Sequence, residues 1–140
     1  PRARNEDGSC RLAFDCEGTF SLKYNLIWDQ LFGLDLFPVC FREAEINRYK
    51  REAHAYGTPL DSRRTYTKAD WLIWAGALAS NRADFEAIVD PLWRAYHESP
   101  SRVPLTDWYD TVSGRIVGFQ HRTVQGGLFI KILADKWINK

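Results

Sequence analysis

The sequence predicts an all-α fold of paired helices, a piece of an α/α toroid or solenoid with a small β-hairpin in one loop. Two observations lead there. Five helical segments can be read, and their apolar surfaces alternate along the chain: buried, amphipathic, buried, amphipathic, buried. The connections alternate as well, short from buried to amphipathic segments and long on the way back. Sequential helices with short links pack antiparallel, and a plain four-helix bundle would make every helix amphipathic. Inner helices lined by outer ones fit the alternation better.

Residues 21–32 form the first segment, with Leu22, Tyr24, Leu26, Ile27, Trp28, Leu31 and Phe32 spread almost all round it. Such a helix has no solvated face and should be buried. Gly33 ends it. In the second, Pro38 suits the first turn and Gly57 the position past the end. Val39, Ile46, Tyr49, Ala53 and Tyr56 make one stripe, opposite Arg42, Glu43, Glu45, Arg48, Lys50, Arg51 and Glu52. For the third, Thr67 is the expected cap and Asp70 holds the capping-box position. Residues 71–79 then carry no charge. The fourth covers about residues 81–97, where Phe85, Ile88, Val89, Leu92, Trp93 and Tyr96 follow helical spacing and Pro91 should kink the rod. The last covers about residues 122–138, with Val124, Leu128, Phe129, Ile130, Ile132 and Leu133 on a wide apolar surface and Gly126-Gly127 permitting close backbone approach. In burial terms, Leu26, Trp28, Trp71, Trp74, Leu78 and Phe129 belong inside, and Arg42, Arg48, Glu52 and Glu86 outside.

Composition narrows the function classes. The chain has 140 residues, 45% hydrophobic, with six Trp, six Tyr and eight Phe, enough for one packed domain. A net charge of +1 with interleaved signs offers no footprint for nucleic acid. No apolar run is long enough for a membrane helix, so no membrane partner is expected. There is no Met, so the chain is expected to be processed or cut from a longer one: a single partial domain over residues 1–140. Its inner helices would then leave a large apolar patch for the rest of the parent chain. Cys10, Cys16 and Cys40 are read as unpaired, a Cys10–Cys16 bridge being the alternative. No metal-ligand spacing or phosphate-binding glycine loop is present, so neither metal nor cofactor is expected.

If the inner helices run parallel, the loops at residues 57–66 and 98–121 and the short link at residues 17–20 share one rim. Long structured loops usually carry function. Asp61 and Asp107 are the candidate general acid and base there, with turn and cap chemistry as the competing role. Asp110 is a weaker candidate of the same kind, and Asp70 is read as a helix cap. Arg63, Arg102 and Arg122 could hold a substrate carboxylate in a planar fork. Tyr66, Trp108 and Tyr109 could line a pocket for an amide or a sugar. Asp61, Arg63, Asp107 and Tyr109 are expected to converge on one cleft, and Ser113-Gly114 to turn the hairpin.

Four stretches resemble the glutaminase A family. They are residues 18–29, with Lys23-Tyr24-Asn25-Leu26-Ile27-Trp28-Asp29; residues 59–71, with Leu60-Asp61-Ser62-Arg63 and Thr67-Lys68-Ala69-Asp70-Trp71; residues 98–111, with Pro104-Leu105-Thr106-Asp107-Trp108-Tyr109-Asp110; and Gly118-Phe119-Gln120-His121-Arg122-Thr123-Val124-Gln125-Gly126-Gly127. His121 departs from the small residue expected in the last. The resemblance implies the C-terminal part of a six-hairpin (α/α)6 toroid, export from the cell, and hydrolysis of glutamine to glutamate and ammonia. A glycoside hydrolase of the same toroid class, acting on a sugar, is the alternative, and a non-catalytic helical interaction module is the third.

Overall fold

The structure, a computed structural model, describes residues 2–101 and 103–138. Its helices are α1 (Ile27–Phe32), α2 (Val39–Arg51), α3 (Ala69–Gly76), α4 (Arg82–Glu98) and α5 (Ile130–Ile138). Short 3-10 helices, Tyr24–Leu26 and Thr123–Phe129, lead into α1 and α5. The strands β1 (Tyr66–Lys68), β2 (Thr106–Asp110) and β3 (Ile116–Gln120) form an antiparallel sheet in that order. The expected hairpin is β2–β3, closed through Gly114 at φ 69°, whose amide donates to the Asp110 carbonyl. The expected all-α reading therefore needs correction: β1 adds a third strand.

That strand arises where a helix cap was expected. Thr67 pairs with Tyr109 in the sheet, and Lys68 takes the N-cap position of α3 without a side-chain cap bond. Two β-forming residues, Tyr66 and Thr67, meet a partner strand from the distant loop, and that pairing overrides the local capping pattern.

Burial separates α3 from its neighbours. Six of the eight residues of α3 are buried, against four of thirteen in α2, so α3 is an inner helix and α2 an outer one. Leu72, Ala75, Ala77 and Leu78 join Ile27, Ile46, Tyr49, Ile88, Leu92 and Tyr109 in one core. α4 lies on the other side, capped by the Asn81 side chain, which accepts from the Asp84 amide at 2.9 Å. Pro91 stands inside that helix.

The first and last segments differ from expectation. Trp28 is 38% exposed and Phe129 64% exposed, and Leu26, Trp71 and Trp74 are only partly buried. Gly126 and Gly127 disfavour a regular helix, so residues 123–129 wind as 3-10 and the α5 stripe is displaced. Phe32, Leu34, Leu36, Phe129, Ile132, Leu133 and Trp137 are all exposed around the neighbouring helices α1 and α5.

On the outer helices, Arg42, Arg48, Glu52 and Glu86 are half-buried rather than exposed. The Arg48 guanidinium lies 5.5 Å above the Phe20 ring, its stem covering apolar surface. Glu45, placed by helical spacing on the solvated face, is fully buried. The N-terminal segment covers it: the Cys10 amide and the Tyr49 hydroxyl both donate to its carboxyl group. The three cysteines are unpaired.

Candidate functional site

The three loops meet on one rim. β1 brings Tyr66 opposite Asp110, and the Tyr56 amide donates to the Thr111 carbonyl at 2.9 Å. Ser21 bridges to Asp61, and the Ser62 amide reaches the Phe20 carbonyl at 3.1 Å.

Within that rim the expected site residues fall into separate groups. Asp61 is buried and takes both arms of Arg63, Nε at 3.0 Å and Nη2 at 2.7 Å, together with the Arg63 amide at 2.8 Å. Burial raises the Asp61 carboxyl, but these bonds outweigh it and hold the group below the usual carboxylate range. Arg63 is therefore committed to Asp61. Asp110 accepts from the Ser113 amide and hydroxyl, both at 2.7 Å, and from the Val112 amide, which is the chemistry of a turn. Tyr109 is buried, and its hydroxyl donates to the Tyr56 carbonyl at 2.8 Å. Tyr66 meets Trp108 edge-on at 5.1 Å. Arg102 lies outside the described residues.

Asp107 belongs to a different cluster from Asp61. It is fully buried, contrary to the loop exposure expected of it. Arg122 donates Nε to Oδ1 at 3.1 Å and Nη2 to Oδ2, and the Lys68 ammonium lies 4.0 Å away. Around these cations stand Trp71, Trp108 and Phe119, with Trp108 stacked on Phe119 at 5.2 Å and Tyr24 stacked on Trp71 at 4.1 Å.

Asp70 completes the cluster from the first turn of α3. It is buried, and its Oδ1 has no hydrogen-bond partner among the described residues. Burial raises its carboxyl above the ordinary value; the amides of Trp71 and Asp70 oppose this, and nearby Asp107 adds to the rise. The sequence pattern assigned Asp70 to capping because it stands three residues after Thr67. The sign that it does more is its place beside an uncharged stretch, which makes it the one acid entering the buried helix. Lys68, Gln125 and Tyr96 were not singled out by motif either. The Tyr96 hydroxyl donates to Gln125 Oε1 at 3.0 Å, and Gln125 Nε2 is buried without a partner among the described residues.

The backbone next to Arg122 is constrained. Phe119 and His121 both adopt left-handed conformations, at φ 47° and 57°. His tolerates that region better than most side chains. A shallow surface hollow of about 350 Å³ lies beside it, lined by Leu105, His121, Arg122, Thr123 and Gln125. Among the described residues no cluster of His, Cys, Asp and Glu is arranged to hold a metal ion.

The chain is 34% identical over 129 residues to glutaminase A of Aspergillus oryzae, covering 87% of the chain and 18% of that protein. It is 29% identical over 166 aligned positions to a "probable glutaminase" of Arthroderma benhamiae, covering 96% of the chain and 19% of the relative. It thus spans about a fifth of the length of these relatives. No solved structure matches it. The family model described as the glutaminase A six helical-hairpin domain matches residues 2–132, and the chain belongs to the glutaminase A family.

Proposed function

We propose that this chain supplies part of the active site of a glutaminase-like amidohydrolase converting L-glutamine and water to L-glutamate and ammonia. The observation carrying this reading is a pair of neighbouring buried carboxyl groups in unlike surroundings. Asp107 is gripped by Arg122 and flanked by Lys68, whereas Asp70 keeps an unpaired oxygen and is pushed upward by burial. A raised carboxyl with a free oxygen, beside a second acid committed to cations, is suited to proton transfer. In amide hydrolysis, water adds to the carboxamide carbon, the C–N bond breaks, and the nitrogen leaves as ammonia only once protonated. Asp70 is the group assigned to that proton transfer, with Asp107 fixing the cations beside it. Asp61, engaged on both oxygens by Arg63, is assigned to bracing the rim.

The remaining helices of an (α/α)6 toroid, supplied by the rest of the parent chain, would close the site, and the family resemblance supports an exported enzyme. A glycoside hydrolase is the second reading. It is favoured by the surface of Trp71, Trp108 and Phe119, since flat rings suit sugar faces and a raised carboxyl could protonate a glycosidic oxygen. Turnover of L-glutamine against a panel of sugars, measured on the complete gene product, separates the two. Asp70→Asn should lower glutamine turnover by about 10²-fold with the fold retained. Wild-type turnover in Asp70→Asn removes it from the mechanism, and hydrolysis of a sugar alone overturns the glutaminase reading.

A further inference from the structure

Lys68 is held in a way that its structural contacts leave incomplete. Its ammonium lies 5.1 Å from the ring of Trp71, 5.1 Å from Trp108 and 5.3 Å from Phe119. Three rings attract the cation and shed its water, but they accept none of its three N–H donors in a directed bond. The nearest carboxylate oxygen, Asp107 Oδ2, stands at 4.0 Å, beyond hydrogen-bond range, and no other ion pair is made among the described residues. A side chain that is 16% exposed is thus fixed, partly dehydrated and short of acceptors.

Arg122 shows the same shortfall from the other side. Its guanidinium stacks over Phe119 at 4.1 Å and gives Nε and Nη2 to Asp107, leaving Nη1 unused among the described residues. Arg122 also lines the shallow surface hollow beside His121. Two cations therefore share one carboxylate and one aromatic ring. The other acid of the cluster, Asp70, makes no ion pair with either cation among the described residues. The two oxygens of a carboxylate would match one free N–H of the ammonium and the unused Nη1 of the guanidinium. Fixing both cations on rings removes much of the side-chain entropy that a ligand would otherwise have to overcome.

We propose that Lys68 and Arg122 form a receptor for the α-carboxylate of an amino-acid substrate, held between the Trp71–Trp108–Phe119 rings and the surface hollow beside His121. This deepens the amidohydrolase reading and rests on it for the identity of the substrate. The role expected of Arg63 passes to these two residues, because Arg63 is bound to Asp61.

The test is equilibrium binding of L-glutamate and of L-isoglutamine, in which only the α-carboxylate is replaced by a neutral amide, to the complete gene product. The wild type should bind L-glutamate at least about tenfold more tightly, since a charge-assisted pair is being compared with a neutral one. Lys68→Met and Arg122→Met should each collapse that ratio towards one, and Lys68→Arg should keep it. Lys68→Gln serves where Lys68→Met does not fold. A wild type that binds neither probe, or that shows no preference, overturns the receptor. So does a folded Lys68→Met with the ratio intact. The outcome is separable from the activity itself: preference for L-glutamate without glutamine hydrolysis keeps the receptor and removes the glutaminase reading. Glutamine hydrolysis with KM unchanged in Lys68→Met does the reverse.

Discussion

Gly127 and Asp70 are packed so closely that a Cβ on Gly127 would come 2.9 Å from the Cβ of Asp70 and 3.0 Å from Trp74 Nε1. The same glycine accepts the Trp74 indole N–H on its carbonyl at 2.9 Å. The Thr123–Phe129 segment is thereby pinned on α3 beside the Asp70 carboxyl group. This is the close backbone approach that the paired glycines foreshadow, and Gly127 rather than Gly126 makes it.

Gly127→Ala should accordingly force the two segments apart and cost about 1–3 kcal/mol of stability, the usual range for overpacking. Gly126→Ala is the control, because nothing lies within 4 Å of its added carbon, and should change stability by less than about 0.5 kcal/mol. Chemical denaturation of both variants checks the pair. Equal effects would show that the contact is relieved elsewhere.

Asp70 gives stability a pH dependence with a definite sign. Its carboxyl is raised in the folded protein by burial, with Asp107 adding and Lys68 and the amides of Trp71 and Asp70 opposing. The folded state then holds its proton at pH values where the unfolded chain has released it, so stability falls as pH rises from the ordinary carboxyl value through the folded one. Asp70→Asn should remove this loss. Its thermal midpoint relative to wild type should be higher at neutral pH, and the difference should shrink below about pH 4, where both states of the acid are protonated. A midpoint difference that does not vary with pH would contradict the assignment. The groups nearest to this titration, Lys68, Arg122 and Asp107, stay unchanged in the variant.

Asp61→Asn and Arg63→Ala should act on the rim rather than on chemistry. Asp61 has a lowered carboxyl, so its contribution to stability is present above the unfolded value and is lost as pH falls through the folded one. Both variants should be less stable than wild type at neutral pH, with the difference shrinking as pH falls through the folded Asp61 value, and should leave kcat within about threefold of wild type, far from the 10²-fold loss of a missing proton-transfer group. A loss of that larger size in Asp61→Asn, with the fold intact, would return Asp61 to the mechanism.

The exposed side chains around α1 and α5 carry a prediction for the 140-residue chain by itself. Phe32, Leu36, Phe129 and Trp137 are each more than half exposed, and contiguous apolar surface of this kind is unusual on a protein that works as a monomer. The chain should self-associate in sedimentation experiments and bind ANS, and Phe129→Glu with Ile132→Glu should reduce both. A monodisperse, ANS-silent monomer would remove the need for a covering partner.

Helical periodicity made α2, α3 and α4 legible, because each repeats its apolar residues over several turns. Gly33 as a left-handed stop and Asn81 as a cap are local events with local causes. The residue 57–66 and 98–121 loops, expected together if the inner helices run parallel, are joined through the pairing of β1 with β2. What the sequence could not fix was partner choice. Asp61 and Asp107 are both loop acids in sequence, yet one closes on its neighbour Arg63 and the other on Arg122, fifteen residues away. Glu45 follows the solvated face of α2 and is buried because the Cys10 segment folds over it. Thr67 had the pattern of a cap until strand β2 arrived beside it. The composition, the helix rhythm and the family signature were thus determined by the sequence alone, since they depend on short-range spacing. Which acids close on a cation and which keeps an unpaired oxygen was decided only by tertiary structure, because burial and ion pairing depend on which distant segment lies on top.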